Sequence, residues 1–254
     1  MRSFFKVEGL HKSFGAVKAL NGCSFEVFKG DILGIVGPNG AGKTVTLSVI
    51  CGDLKPEQGK VSYKSRDITG LPPYEIVRLG ISRTFQLTRI YPEMTVTENM
   101  LFAAQRKEFS YNFSQLLKGR LSAQTDVENR EKAFDLLEIL ELFHLKDAKG
   151  KELSYGQRKL LELANALITY PEPQIVMLDE PLAGINPVMT EKIADYIRTF
   201  QERGMSFVIV EHNVRLLTDL CNRMVVLAQG RKIAEGPPQD VQRDPVTIDA
   251  YFGE

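Results

Sequence analysis

Cysteine is scarce, with three residues in 254, at positions 23, 51 and 221. Cys23, Cys51 and Cys221 show neither C-x-x-C spacing nor an even-numbered framework, which excludes a disulfide scaffold and leaves structural roles ahead of metal-binding ones. An excess of charge of either sign is also missing. Thirty-two Lys plus Arg offset thirty-two Asp plus Glu, so bulk attraction to nucleic acid or anionic lipid is unavailable and any such binding has to be local. Long apolar runs are absent too: stretches such as 175–178 and 207–210 fall far short of the ~20 residues that cross a bilayer. The N-terminal segment MRSFFKVEGLHKSF holds no continuous apolar region and no small-residue cleavage site, so a secretory signal is not expected and a cytoplasmic location is. Neither an internal repeat nor a low-complexity tract is visible.

What is present is a globular composition, 43% hydrophobic, 25% charged and 9% aromatic, with 20 Gly and 12 Pro. That is enough for one large domain or a core with an inserted subdomain. Partial alternation over residues 5–10 and 23–28 predicts half-buried strands. Residues 31–36 form a compact apolar run that breaks at GPNG, predicting a buried strand entering a tight loop, with a helix from Lys43 to about Cys51. Turn signals at 56–59 and 71–73 separate short strands expected at 61–63 and 81–85. From about 93 to 167 the strand signal nearly vanishes, and Ala133, Leu136, Leu137 and Leu140 keep the spacing of a helix with one buried face. Within that stretch, the polar, Gly-containing residues 118–128 read as an exposed connection. Strand patterns return at 175–178, 207–210 and 224–227, with helices expected over 188–203 and 214–220. Strand and helix alternation predicts an α/β fold with a mostly parallel sheet and helices on both faces, split by a helical subdomain. The boundaries read as a core of 1–92 and 168–254 and an insertion of 93–167.

The chemistry concentrates in a few places. Gly37, Pro38, Asn39, Gly40, Ala41, Gly42, Lys43 and Thr44 match GxxxxGK[ST] between a predicted strand and a predicted helix, the context that motif requires. Glycines let backbone N–H groups point inward around a polyphosphate, and the helix adds its positive end. Lys43 is placed to contact the β- and γ-phosphates and Thr44 to put its hydroxyl on Mg²⁺. Asp179 and Glu180 follow the apolar run 175–178, at the strand edge where α/β sheets put their ligands. Asp179 would hold Mg²⁺ and Glu180 would polarise the attacking water, against the alternative that the pair caps the next helix. Glu211 and His212 end another apolar run, and His212 is placed as a γ-phosphate sensor, a structural histidine being the alternative. Ser154, in LSYGQ at 153–157, caps a helix whose N-terminus is a further anion site.

In this order the motifs resemble those of the ATP-binding subunit of an ABC transporter, over nearly the whole chain. The resemblance implies a P-loop NTPase core with an antiparallel β subdomain and an inserted helical subdomain, in one cassette. It implies ATP and Mg²⁺ as cofactors, with Val45 beside Thr44 at the nucleotide. Phe14 matches the aromatic position that stacks on adenine. Gln86, in SRTFQ at 82–86, matches the glutamine that joins the metal and attacking water to the helical subdomain. Ser154, Gly156 and Gln157 match the signature that completes the site of an opposite subunit, and Asn186, within 183–186, matches the loop that reaches across that interface. LSYGQ, DEPLAGINP (179–187), SRTFQ and VEHN (210–213) look like the ATPases of branched-chain amino acid importers, among which Tyr155 and Asn186 are habits; Asn165 stands where Arg is frequent.

By that resemblance each chain holds ATP on its own loop, and a second, homologous or identical ATPase subunit supplies the helix end at Ser154. Two transmembrane permease subunits dock on the cytoplasmic side near 86–99, and an extracytoplasmic solute-binding protein acts upstream. A soluble clamp acting on nucleic acid or ribosomes is the rival from another class, disfavoured by the single cassette and the lack of a basic arm. Urea, amides or another small solute stay open as cargo.

Overall fold

The computed structural model describes residues 3–84, 90–104 and 119–252. Two compact units emerge, one built from 1–86 and 174–254 and the other from 87–173, a division lying outside the expected 93 and 167 at both ends.

The first unit opens with strands β1 (Phe5–Phe14) and β2 (Val17–Val27), longer than their alternation predicts because an antiparallel hairpin turns at Gly15 (φ 60°) and carries register shifts along its length. The central strand β3 (Ile32–Val36) is buried at every position, as a continuous apolar run should be in a parallel sheet covered on both faces. Helix α1 (Lys43–Ile50) follows. Strands β4 (Gln58–Tyr63) and β5 (Arg66–Asp67), helix α2 (Pro73–Arg78) and strand β6 (Ile81–Arg83) complete the N-terminal half.

In the second unit, helices α3 (Val96–Ala104), α4 (Gly119–Ile139) and α5 (Tyr155–Leu167) dominate. Residues 119–128 form the first turns of α4, correcting the expected exposed connection. Arg120, Leu121, Ala123, Gln124 and Glu128 are all good helix formers, whereas the spacing that marks a buried face is carried further on by Ala133, Leu137 and Leu140, which are buried. The other strong feature of this unit is Asn99, 1% exposed, whose Nδ2 donates to the carbonyls of Tyr91, Met94 and Thr95 and whose Oδ1 accepts from the Tyr91 N–H.

The first unit then resumes with β7 (Ile175–Asp179), α6 (Pro187–Glu202), β8 (Ser206–Val210), α7 (Val214–Thr218), β9 (Arg223–Ala228), β10 (Arg231–Gly236), α8 (Pro238–Arg243) and α9 (Pro245–Phe252). Its larger sheet runs β10-β9-β3-β8-β7-β6, parallel throughout except for β10, and its smaller antiparallel sheet runs β2-β1-β4-β5. One apolar core joins the two sheets through α1: Phe5, Val7, Val61, Leu47, Ile50, Ile35, Met177 and Val208 all belong to it. The register places Ile35, Val210 and Asp179 in one row across three neighbouring strands. Everything one or two residues later on those strands therefore reaches the same edge.

Candidate functional site: a phosphate loop facing two strand ends

The loop between β3 and α1 is shaped by glycines that no other residue replaces. Gly37 has φ 150°, and a Cβ there would sit 2.1 Å from the Leu227 carbonyl oxygen; at Gly42, φ 97°, it would sit 2.3 Å from that of Ala19. Both glycines thus let the loop lie directly on neighbouring backbone. Asn39 and Gly40 at its crest are exposed, whereas Ala41, Gly42 and Lys43 are buried. The Lys43 ammonium folds over its own loop, donating to the Gly37 carbonyl at 2.6 Å and the Pro38 carbonyl at 2.9 Å. Burial pushes its pKa down, opposed by Glu180, Asp179 and Glu211, so three carboxylates keep a largely desolvated cation in place. Val45 turns its side chain to the core, which leaves only its backbone, in the first turn of α1, facing the loop side.

Across from Thr44 stands Asp179, the last residue of β7 and 1% exposed. Thr44 Oγ1 lies 3.4 Å from Asp179 Oδ1. Burial pushes the Asp179 carboxyl up, and the Arg83 guanidinium, donating to Oδ2 at 3.1 Å, pulls it down. Glu180 has φ 49°, in the left-handed region that costs a non-glycine residue roughly 1–2 kcal/mol, and its N–H donates to the Val210 carbonyl at 2.9 Å. The strain turns its side chain out of the strand row, to 27% exposure. His212 Nδ1 lies 3.8 Å from Glu180 Oε1 and 3.8 Å from Glu211 Oε2. The structure thus brings Lys43, Thr44, Asp179, Glu180 and His212 to one sheet edge.

A family model described as ABC transporter matches residues 20–183. The chain belongs to the ABC transporter family. A second model, described as branched-chain amino acid ATP-binding cassette transporter, matches residues 231–254. Among curated relatives, a probable branched-chain amino acid transport ATP-binding protein LivG of Archaeoglobus fulgidus is 38% identical, the match covering 98% of this chain and 95% of that protein. The high-affinity branched-chain amino acid transport ATP-binding protein LivG of Salmonella typhimurium is 36% identical, over 98% and 97%. A solved nucleotide-free ATP-binding cassette from an ABC transporter superposes with a TM-score of 0.87 at 37% identity, with full coverage of both chains. Another such cassette, in its ADP conformation, gives 0.85 at 35%.

The chain is thus an ABC ATPase cassette, and its remaining motif residues can be placed. Phe14, at the end of β1, is 49% exposed, so core packing does not explain it; the Lys12 ammonium lies 5.7 Å from its ring centre. Ser154 caps α5: its hydroxyl accepts the Gln157 N–H at 3.3 Å and its own N–H donates to Gln157 Oε1 at 2.8 Å. Gly156 follows in the first turn. Asn186 caps α6 by accepting the Met189 N–H at 2.9 Å. Gln86 lies outside the described residues. Of the residues expected near a docking surface at 86–99, Asn99 is interior and Tyr91 is exposed. Among the described residues no helix is long and apolar enough to cross a membrane.

Three site neighbours escaped the sequence reading. Arg83 joins Asp179 to Asp53, 2.6 Å from its other terminal nitrogen. Glu211 is buried beneath His212. Tyr251 on α9 is half-buried, and that burial pushes its hydroxyl up to about 12 against the pull of the Gly37 backbone. Arg83 stands between Ser82 and Thr84, Glu211 between Val210 and His212, and Tyr251 near the C-terminal end of α9, so local sequence gives none of them a site role.

Proposed function

We propose that this ABC ATPase cassette powers the import of branched-chain amino acids, at the cytoplasmic face of a membrane, on a pair of permease subunits. One observation carries the reading: Lys43, Thr44, Asp179, Glu180 and His212 meet at one sheet edge in a chain whose relatives at 38% and 36% identity are named for branched-chain amino acid transport, and whose residues 231–254 match the corresponding family model.

Each residue then has a task. Loop N–H groups around Gly40 and Gly42 bind phosphate oxygens, and Phe14 offers its exposed face to adenine. Lys43 exchanges the Gly37 and Pro38 carbonyls for the β- and γ-phosphates. A hydroxyl and a buried carboxylate 3.4 Å apart are hard oxygen donors of the kind Mg²⁺ accepts alongside phosphate oxygens and water, so Thr44 and Asp179, with Gln86, would hold that ion. When bound it neutralises charge developing on the β- and γ-phosphate oxygens. Glu180 accepts the proton of the attacking water as the new P–O bond forms and the bond to the bridging oxygen breaks, ADP leaving with the electron pair. His212 contacts the γ-phosphoryl oxygens. Ser154 and the Gly156 N–H of a second ATPase subunit, identical or homologous, donate to the same phosphate, so ATP joins the two subunits and its hydrolysis releases them. A solute-binding protein outside the membrane supplies the cargo.

The test is purification from native membranes. Two integral membrane proteins should accompany the chain, and vesicles holding the assembly should take up labelled leucine only with ATP and only with Lys43 intact. Recovery of the chain without membrane partners contradicts the reading.

A further inference from the structure

Glu211, one residue past β8, has a carboxylate that is 0% exposed, and the reaction set out above gives it no task. Removing a carboxylate from water is costly unless its oxygens find partners. Two of its contacts belong to the site: Oε1 accepts the Leu182 N–H at 2.9 Å, and Oε2 lies 3.8 Å from His212 Nδ1. Its own N–H donates to the Ile35 carbonyl at 3.1 Å, which ties it to the strand that enters the phosphate loop. Leu182 opens the turn 182–185 between Glu180 and α6. That turn forms one wall of a cavity of about 540 Å³ bounded also by Thr190, Ala194, His212 and Leu216, so open space backs it on one side. Within the turn, the Ala183 N–H donates to the Glu180 carbonyl at 3.4 Å.

We propose that Glu211 is a positioning residue for ATP hydrolysis, fixing the turn 182–185 by accepting the Leu182 N–H and thereby orienting Glu180 and His212 at the phosphate edge. The inference rests on the roles proposed for those two residues. What the turn requires is an acceptor of the right length, so Glu211→Gln keeps the bond through its amide oxygen and Glu211→Leu loses it at similar volume.

The experiment compares kcat and KM for MgATP, and Kd for a fluorescent ATP analogue, in the full-length wild type, E211Q and E211L, with E180Q alongside. E211Q should keep at least about a third of kcat, whereas E211L should lose about 100-fold in kcat with Kd changed less than about threefold, the size of loss expected from misplacing reacting groups by about an ångström. Wild-type turnover by E211L, equal losses in E211Q and E211L, or loss of nucleotide binding in step with turnover each overturns the proposal. Should E211L fail to fold, E211Q decides alone: retained turnover supports the proposal and a 100-fold loss overturns it. Wild-type turnover by E180Q instead overturns the role of Glu180, and it is read separately because that variant leaves the Glu211–Leu182 bond intact.

Discussion

Arg83 on β6 donates to Asp179 Oδ2 on β7 at 3.1 Å, so the carboxylate that ends β7 is held by a cation from the strand beside it. The same guanidinium reaches Asp53 at 2.6 Å and Ser48 Oγ at 3.2 Å, tying β6 and β7 to the end of α1.

Arg83→Met should therefore leave a buried carboxylate without its cation, a change that typically costs about 3–5 kcal/mol. It also has a pH signature. The folded Asp179 pKa is already raised by burial, and loss of Arg83 raises it further. The native state then holds a proton that the unfolded chain has released, so stability is present below the unfolded value and declines as pH rises through the folded one. Urea unfolding at several pH values should show a steeper decline above pH ~4 for the variant than for the wild type.

The capping of α5 by Ser154 is separable from the trans-acting role proposed for it. As the cap of α5 its removal should cost about 1 kcal/mol, measurable in Ser154→Ala by thermal unfolding. Ser154→Arg should additionally block the phosphate of a facing subunit, lowering hydrolysis more than about tenfold while nucleotide binding to the phosphate loop of the same chain is kept. Undiminished hydrolysis in the assembled complex contradicts the trans-acting role.

Glu162 on α5 faces Lys159 at 3.7 Å, and its side chain is 10% exposed. Its Oε1 and Asn165 Oδ1 are buried without a hydrogen-bond partner among the described residues, and burial pushes its carboxyl up to about 7. The folded value exceeds the unfolded one of about 4.3, so this group's contribution is present below pH ~4.3 and is lost as pH rises through 7, on the order of 3 kcal/mol. Glu162→Gln should flatten that part of the stability profile between pH 4.5 and 8 by urea unfolding. An unchanged slope contradicts the assignment.

The phosphate loop was legible because GxxxxGK[ST] carries its own register, and β3, β7, β8 and β9 were legible because strands buried on both faces read as unbroken apolar runs. Strand β10 was not, since an antiparallel edge strand with exposed Arg231, Lys232 and Glu235 has no apolar pattern to read. The start of α4 is illegible for the related reason that the sequence of 119–128 repeats no apolar spacing. Arg83 and Glu211 escaped because their partners lie on other strands: pairing of β6 with β7, and of β8 with β3, gives Arg83 its carboxylate and Glu211 its place beneath the turn. Phe14 and Asn186 were visible only through family resemblance. The structure adds exposure to the first and a capping role to the second.

The most direct test of the account is a single-turnover measurement of MgATP hydrolysis together with equilibrium nucleotide binding, for the full-length wild type, Glu180→Gln and Lys43→Ala. Glu180→Gln should bind ATP within about threefold of wild type yet hydrolyse it at least about 100-fold more slowly, whereas Lys43→Ala should weaken binding itself by about 10- to 100-fold, the worth of charge-assisted hydrogen bonds to phosphate. Hydrolysis by Glu180→Gln at the wild-type rate would contradict the assignment of Glu180, one residue past β7, as the base that activates water.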